Sequence, residues 1–327
     1  MSYEKYKTRY KTLKSFLNSL YGAIVGDAYG IRYEFMSEEK ASEQIKKDGQ
    51  QILGSLIFDY KIGQISDKSE LMIMNLNNLE YKQEIAAKNY IKWYNTNPLD
   101  ISKTVKNALN TQYTRAENNQ DMISNSNNMN KNAISNGSMT RLLAILLYNP
   151  ENKLQNIIDL DCDLTHPNII VKNIILFYGL FLKNLLDNMS PDDIYHKLIK
   201  DHRILPRTKI HMRDAYQNKK MIYIIDHEYE ERYIRTDDKR YQGYIGITFQ
   251  NALIELFNNK EKSLMSSLMN IASRGGDTST NCFVAGSLLG LYYKDIPKKL
   301  IDQVMDLDID RYKKYLYLSP KNINNIG

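Results

Sequence analysis

IASRGGDTSTNCFVAGSLLG, residues 271–290, is the stretch on which the reading of this chain turns. Gly275 and Gly276 release the backbone from the limits a β-carbon imposes, so the chain can turn sharply and expose its amides. Asp277, Thr278 and Thr280 fall in that turn and in the first helical turn after it. There, unpaired amides and the positive end of the helix dipole favour oxygen-bearing side chains. From Cys282 onward, Ala285, Gly286 and Gly290 form a slim face that lets a neighbouring helix come close. The pattern has two readings: a capped, tightly packed core helix, or a ligand site held at a rigid helix start.

Working outward, Leu13, Phe16, Leu17, Leu20, Tyr21 and Ile24 recur at spacings of three and four, which predicts an amphipathic helix. It runs into Gly26-Asp27-Ala28-Tyr29-Gly30, a close-packed helix end after which the chain carries Glu34 out of the helix. Ser66 or Asp67 caps a helix through Leu71, Met72, Ile73, Met74 and Leu76, with Ser69 or Glu70 in the capping-box position. A helix over residues 84–94 carries Tyr90-x-x-Trp93, and Asn97-Pro98-Leu99-Asp100 starts another through Ile101, Val105, Ala108 and Leu109. Between about residues 110 and 132 the chain is rich in Asn, Gln and Ser with little periodicity. This predicts a polar loop, an insertion or lid within one domain spanning the chain.

Ser135-Asn136-Gly137-Ser138 closes that loop and opens a helix, a turn of the kind that can cradle an anion. Leu164-Thr165-His166-Pro167-Asn168 introduces an apolar, nearly buried helix to Leu186, with Pro167 in its first turn and His166 at its mouth. Residues 201–240 are basic and tyrosine-rich and predict an exposed, loop-rich segment. Helices over residues 249–257 and 264–272 and a last one through Leu300, Ile301 and Val304 complete the chain. With no sustained strand-like alternation, the fold class is all-α, a compact helical bundle. His196, His202, His211 and His227 show no metal-binding spacing.

Composition narrows the function classes. The formal charge of +6 allows attraction to a polyanion, but Lys and Arg are scattered rather than blocked, which points away from a nucleic-acid partner. Cys162 and Cys282 lie in segments that read as packed structure, which suits a reducing compartment. The N-terminus MSYEKYKTRYKTLK is too polar for a secretory signal. The most apolar run, between Lys172 and Lys183, is shorter than the ~18 residues a bilayer span needs. The expectation is a soluble cytoplasmic protein with no membrane partner.

Taken in order, GDAYG with Glu34, the ISDKSE turn, Tyr90-x-x-Trp93 with Pro98 and Asp100, SNGS, LTHPN, and RGGDTSTN followed by AGSLLG resemble the ADP-ribosylglycohydrolase family. The resemblance implies a compact orthogonal α-helical domain and a hydrolase that cleaves the bond between ADP-ribose and an acceptor. It implies two magnesium or manganese ions between the acidic turns, polarising a water for attack at the anomeric carbon. By that likeness Glu34, Asp67 and Asp277 are catalytic, and Glu34, Ser66, Asp67, Asp277 and Thr280 are metal ligands. Asn136, Gly137 and Ser138 cradle the diphosphate, and His166, Gly275 and Gly276 complete the ligand site. The implied partner is ADP-ribose or an ADP-ribosylated protein.

Two family carboxylates are missing. The family's first turn reads Thr-Asp-Asp-Thr and its second Gly-Gly-Asp-x-Asp-Thr, whereas this chain has Lys68 and Ser279 in place of the second Asp of each. Glu34, Asp67 and Asp277 supply three negative charges and Lys68 subtracts one, a remainder that matches one divalent ion. The expectation is one Mg2+ or Mn2+ ion rather than two, or none, with the Lys68 ammonium where the second ion would sit. A catalytically weakened or inactive ADP-ribose-binding protein on the same fold is the alternative.

Overall fold

The structure, a computed structural model, describes residues 3–225, 229–258 and 262–326; His227 lies outside them. Its axis is a pair of antiparallel helices, Tyr3–Gly30 and Thr278–Tyr293. The second carries the slim face read from the sequence, and the first answers it with glycines four residues apart. A methyl group on Gly22, Gly26 or Gly30 would overlap the carbonyl oxygen of Gly286, Cys282 or Thr278 respectively. Backbone therefore packs on backbone, and Ser19 Oγ crosses the seam to donate to Ser287 O at 2.9 Å.

Around this pair pack Ile245–Phe257, Leu264–Ala272 and Ile169–Leu186. The last is 18 residues long and apolar enough, by length and composition alone, to cross a bilayer. This differs from the shorter run read from the sequence, because two lysines near its ends do not interrupt the helix. It is mostly buried in the fold, where its apolar faces pack on the surrounding helices. Tyr178 on this helix meets Ser287 Oγ at 2.6 Å.

Several local expectations need correction. The segment expected as a polar loop holds a helix, Asn119–Met129, capped by Asn118. Two buried asparagines, one in this helix and one at its end, hydrogen-bond the backbone instead of facing water: Asn125 Nδ2 donates to Ala108 O, and Asn130 Nδ2 to Thr104 O and Thr165 O. The helix expected from Asn97 starts only at Lys103, capped by Ser102, which leaves Asp100 on a loop. Pro167 precedes its helix, whose cap is Asn168.

Within residues 201–240 lie a helix, Pro206–Tyr216, and a hairpin of Ile222–Ile225 with Glu231–Ile234. Its four-residue strands are too short to show alternation. After Lys298–Met305 the chain continues into Asp310–Lys314, which brings Arg311 to Glu70 at 2.6 Å. Glu70, expected as a capping residue, is instead buried and also accepts from Trp93 Nε1 at 2.8 Å.

The central seam generates the first prediction. Gly286→Ala should cost about 3 kcal/mol or more, because both backbones must shift to admit the methyl group. The neighbouring Ala285→Gly should cost only about 1–2 kcal/mol. Urea denaturation of the two variants measures the difference, and equal losses would refute the backbone-on-backbone account.

Candidate functional site

The Gly-Gly turn and the end of the first helix build one wall of the site together. Gly275 and Gly276 have φ of +69° and +76°, a region that favours glycine. Gly276 N donates to Met36 O at 3.0 Å and Gly276 O accepts from Phe35 N at 2.8 Å. This pairing fixes the segment that carries Glu34. One carboxylate oxygen, Glu34 Oε2, accepts from the Ser279 backbone N–H at 2.7 Å and lies 3.2 Å from Thr278 Oγ1. The other, Oε1, is buried with no hydrogen-bond partner.

The second wall is positioned by Asp27, a residue the sequence reading left without a role. It is fully buried on the first helix and accepts from Ser66 N at 2.9 Å, Ser66 Oγ at 2.6 Å and Ser69 Oγ at 2.5 Å. These bonds pin the start of the helix Asp67–Met74. Asp67 and Lys68 then enter the same space as Glu34, with Lys68 Nζ 2.8 Å from Asp67 Oδ1 and 3.7 Å from Asp100 Oδ2. Asn136 closes the third side: its Nδ2 donates to Asp277 Oδ2 and to Thr248 Oγ1, both at 2.9 Å. Asp277 Oδ1 caps its own helix by accepting from Thr280 N at 3.3 Å.

Between these walls lies a cavity of about 270 Å³ lined by Glu34, Asp67, Lys68, Asp100, Asp277 and Thr280, among others. A larger groove of about 850 Å³, with Leu13, Phe16, Met74, Leu147 and Tyr317 on its walls, lies apart from it. That groove is predominantly apolar, so the smaller cavity, where carboxylates and an ammonium converge, is the candidate for chemistry.

Burial raises the pKa of Glu34 well above the carboxylate range, Asp277 beside it adds to the shift, and Lys68 opposes it. Burial likewise pushes Asp67 up to about 7 against the pull of Lys68. For Lys68 burial alone would favour the neutral amine, but Asp67, Glu34, Asp277 and Asp100 outweigh it and hold the ammonium charged.

The structure thus brings together Glu34, Asp67, Lys68, Asn136, Gly137, Asp277 and Thr280 on one cavity wall or another. Ser66 and Ser279 meet Glu34 and Lys68 in a narrow crevice beside it. His166 and Ser138 do not line the cavity. His166 is fully buried, with Nδ1 2.6 Å from Thr165 Oγ1, and its ring lies behind Gly137. Burial, with Arg141 nearby, keeps its pKa well below the ordinary imidazole value. Gly275 and Gly276 shape the site from outside rather than facing it. Phe35, Ser102, Lys103 and Thr140 also line the cavity and were not singled out in the sequence. Only Asp100 had a signal, its place after Asn97-Pro98-Leu99.

A family model described as ADP-ribosylglycohydrolase matches residues 8–322. The chain belongs to the ADP-ribosylglycohydrolase family. A protein of Acanthamoeba polyphaga mimivirus, provisionally named an ADP-ribosyl glycohydrolase, is 31% identical over 326 residues, spanning 91% of this chain and 93% of that protein. A solved structure titled ADP-ribosylglycohydrolase-related protein complex superposes with a TM-score of 0.66 over 97% of this chain and 99% of that one. At 16% identity this second likeness concerns the fold.

The pair of divalent ions implied by the family does not fit the residues present. Among the described residues no three Asp, Glu, His or Cys side chains are placed to share one ion. Ser66 Oγ is committed to Asp27, and an ammonium stands 2.8 Å from Asp67. Hard divalent cations take several converging oxygens, and here a cation donor already occupies one of them.

The Asp27 anchor generates the second prediction. Asp27→Ala removes the shared acceptor of three donors and should cost about 3 kcal/mol or more. Ser69→Ala, which removes one donor, should cost about 1 kcal/mol. Thermal and chemical denaturation check both, and a mild effect of Asp27→Ala would show that the Ser66 turn holds its place without it.

Proposed function

We propose that the chain hydrolyses the glycosidic bond between ADP-ribose and an acceptor on an ADP-ribosylated protein, at the cavity lined by Glu34, Asp67 and Asp277. The observation that carries this reading is the disposition of Glu34. One oxygen is fixed by the Ser279 amide while the other is buried, unpartnered and beside the cavity. Burial has raised its proton affinity, which suits a general base.

In the proposed step Glu34 Oε1 takes a proton from a water whose oxygen bonds to the anomeric carbon. The bond from that carbon to the acceptor breaks, its electron pair leaves with the acceptor, and the proton is passed on to it. Asp277, oriented by Asn136 and the Thr280 amide, and Asp67 place negative charge around the developing positive charge of the ribose. Asn136 and Gly137 would meet the diphosphate, with Ser138 and His166 supporting that turn from behind. Lys103 would balance the phosphate charge.

A second reading is favoured by Lys68 and Ser279, which replace two family carboxylates: an ADP-ribose-binding protein in which hydrolysis is weakened or lost. The third prediction separates the two. Against model substrates with arginine, serine and acetyl linkages, the wild-type chain should release ADP-ribose from at least one. Glu34→Gln should slow release by about 100-fold or more with ADP-ribose affinity, measured by calorimetry, little changed. Binding of ADP-ribose with no release from any linkage would establish the binding reading in its place.

A further inference from the structure

We propose that the Lys68 ammonium is a built-in cation that stands in for a divalent ion among these carboxylates, so that the site takes up a ribose diol without metal. The ligand part rests on the function proposed above; the cation part stands on the geometry alone.

Lys68 is the second residue of the helix Asp67–Met74, where the positive end of the dipole disfavours a cation. A lysine there would ordinarily extend into water. Instead its side chain is only 12% exposed and turns inward, to Asp67 at 2.8 Å and Asp100 at 3.7 Å. Glu34 and Asp277 line the same cavity and act on the same ammonium. One monovalent charge thus sits among four carboxylates.

Three buried oxygens nearby lack hydrogen-bond partners, Glu34 Oε1, Ser279 Oγ and Asp67 Oδ1, the last of which meets Lys68 as an ion pair. An ammonium carries three donors and no acceptor. Asp67 lies at 2.8 Å and Asp100, at 3.7 Å, beyond hydrogen-bond reach, so the ammonium keeps donors for the hydroxyls of a vicinal diol. A cation held by the chain excludes a metal twice over, by repulsion and by occupying Asp67.

The test uses the full chain after chelator treatment. Calorimetric titration with Mn2+ should give no saturable binding to the wild type below about 1 mM, whereas Lys68→Asp should bind Mn2+ at least ten-fold more tightly. Saturable Mn2+ binding to the wild type as tight as to the variant would overturn the proposal. Should Lys68→Asp fail to fold, Lys68→Met serves: loss of the ammonium should weaken ADP-ribose binding at least ten-fold, and unchanged affinity would count against the proposal.

ADP-ribose should bind the wild type equally well in EDTA and in Mg2+, and binding that needs Mg2+ would also overturn it. Failure to bind ADP-ribose in either buffer would refute the proposed function, while the Mn2+ titration would still decide the cation.

Discussion

The close seam between Tyr3–Gly30 and Thr278–Tyr293 is the contact from which the site follows. Because Gly30 packs on the Thr278 carbonyl, the chain that leaves the first helix emerges beside the amides at the start of the second. Glu34 can then accept from Ser279 N with only a 3-10 turn between helix and carboxylate. The Gly275-Gly276 turn pairs with residues 35 and 36 and fixes the same geometry from the other side. The first helix also carries Asp27, which holds the Ser66 turn. Both acidic turns, more than 200 residues apart in the sequence, are therefore positioned by one helix, and an added β-carbon at the seam would disturb them together.

Charge balance in the cavity is decided by magnitudes. Placing a lysine in the first turn of a helix costs about 0.3–1 kcal/mol through the dipole. Removing one partner from a buried ion pair costs about 3–5 kcal/mol. Loss of Asp67 would therefore cost far more than the helix dipole does, because the Lys68 ammonium would be left buried without its partner. The carboxylates gain in turn, since without a nearby cation their burial would drive them toward the neutral acid. Asp27 also feels the Lys68 charge, but it is held in place by three hydrogen bonds and does not line the cavity, so it remains a structural anchor.

Much of this was legible in the sequence. The helices with strong apolar periodicity were found, and residues 264–272 were placed at their observed bounds. The slim face from Ala285 to Gly290 correctly implied a close neighbour, although the matching series Gly22, Gly26 and Gly30 was not connected to it. The errors share a cause: polar residues whose partners lie far along the chain look like loop. Asn125 and Asn130 read as solvated until the carbonyls of Ala108, Thr104 and Thr165 accept their hydrogen bonds. Glu70 reads as a cap until Arg311 arrives from the far end of the chain. His166 illustrates the converse, a motif residue placed near the site but one layer behind it.

The floor and the rim of the cavity are held by different means. Floor residues Glu34, Asp67 and Asp277 sit at helix ends and are fixed by backbone amides or buried pairs, so their geometry changes little without changing the fold. The rim is made of loop residues. Asp100 lies outside its expected helix, and Phe35 projects 44% exposed from a backbone with φ of +58°, a conformation that non-glycine residues seldom adopt. Phe35 holds that conformation because Gly276 O accepts its N–H, so the turn that orders the floor also presents an aromatic ring at the cavity mouth. Loops tolerate substitution more readily than the elements they join. Substitutions at Phe35 and Asp100 therefore reshape the mouth of the cavity while the helix-end residues of the floor keep their places.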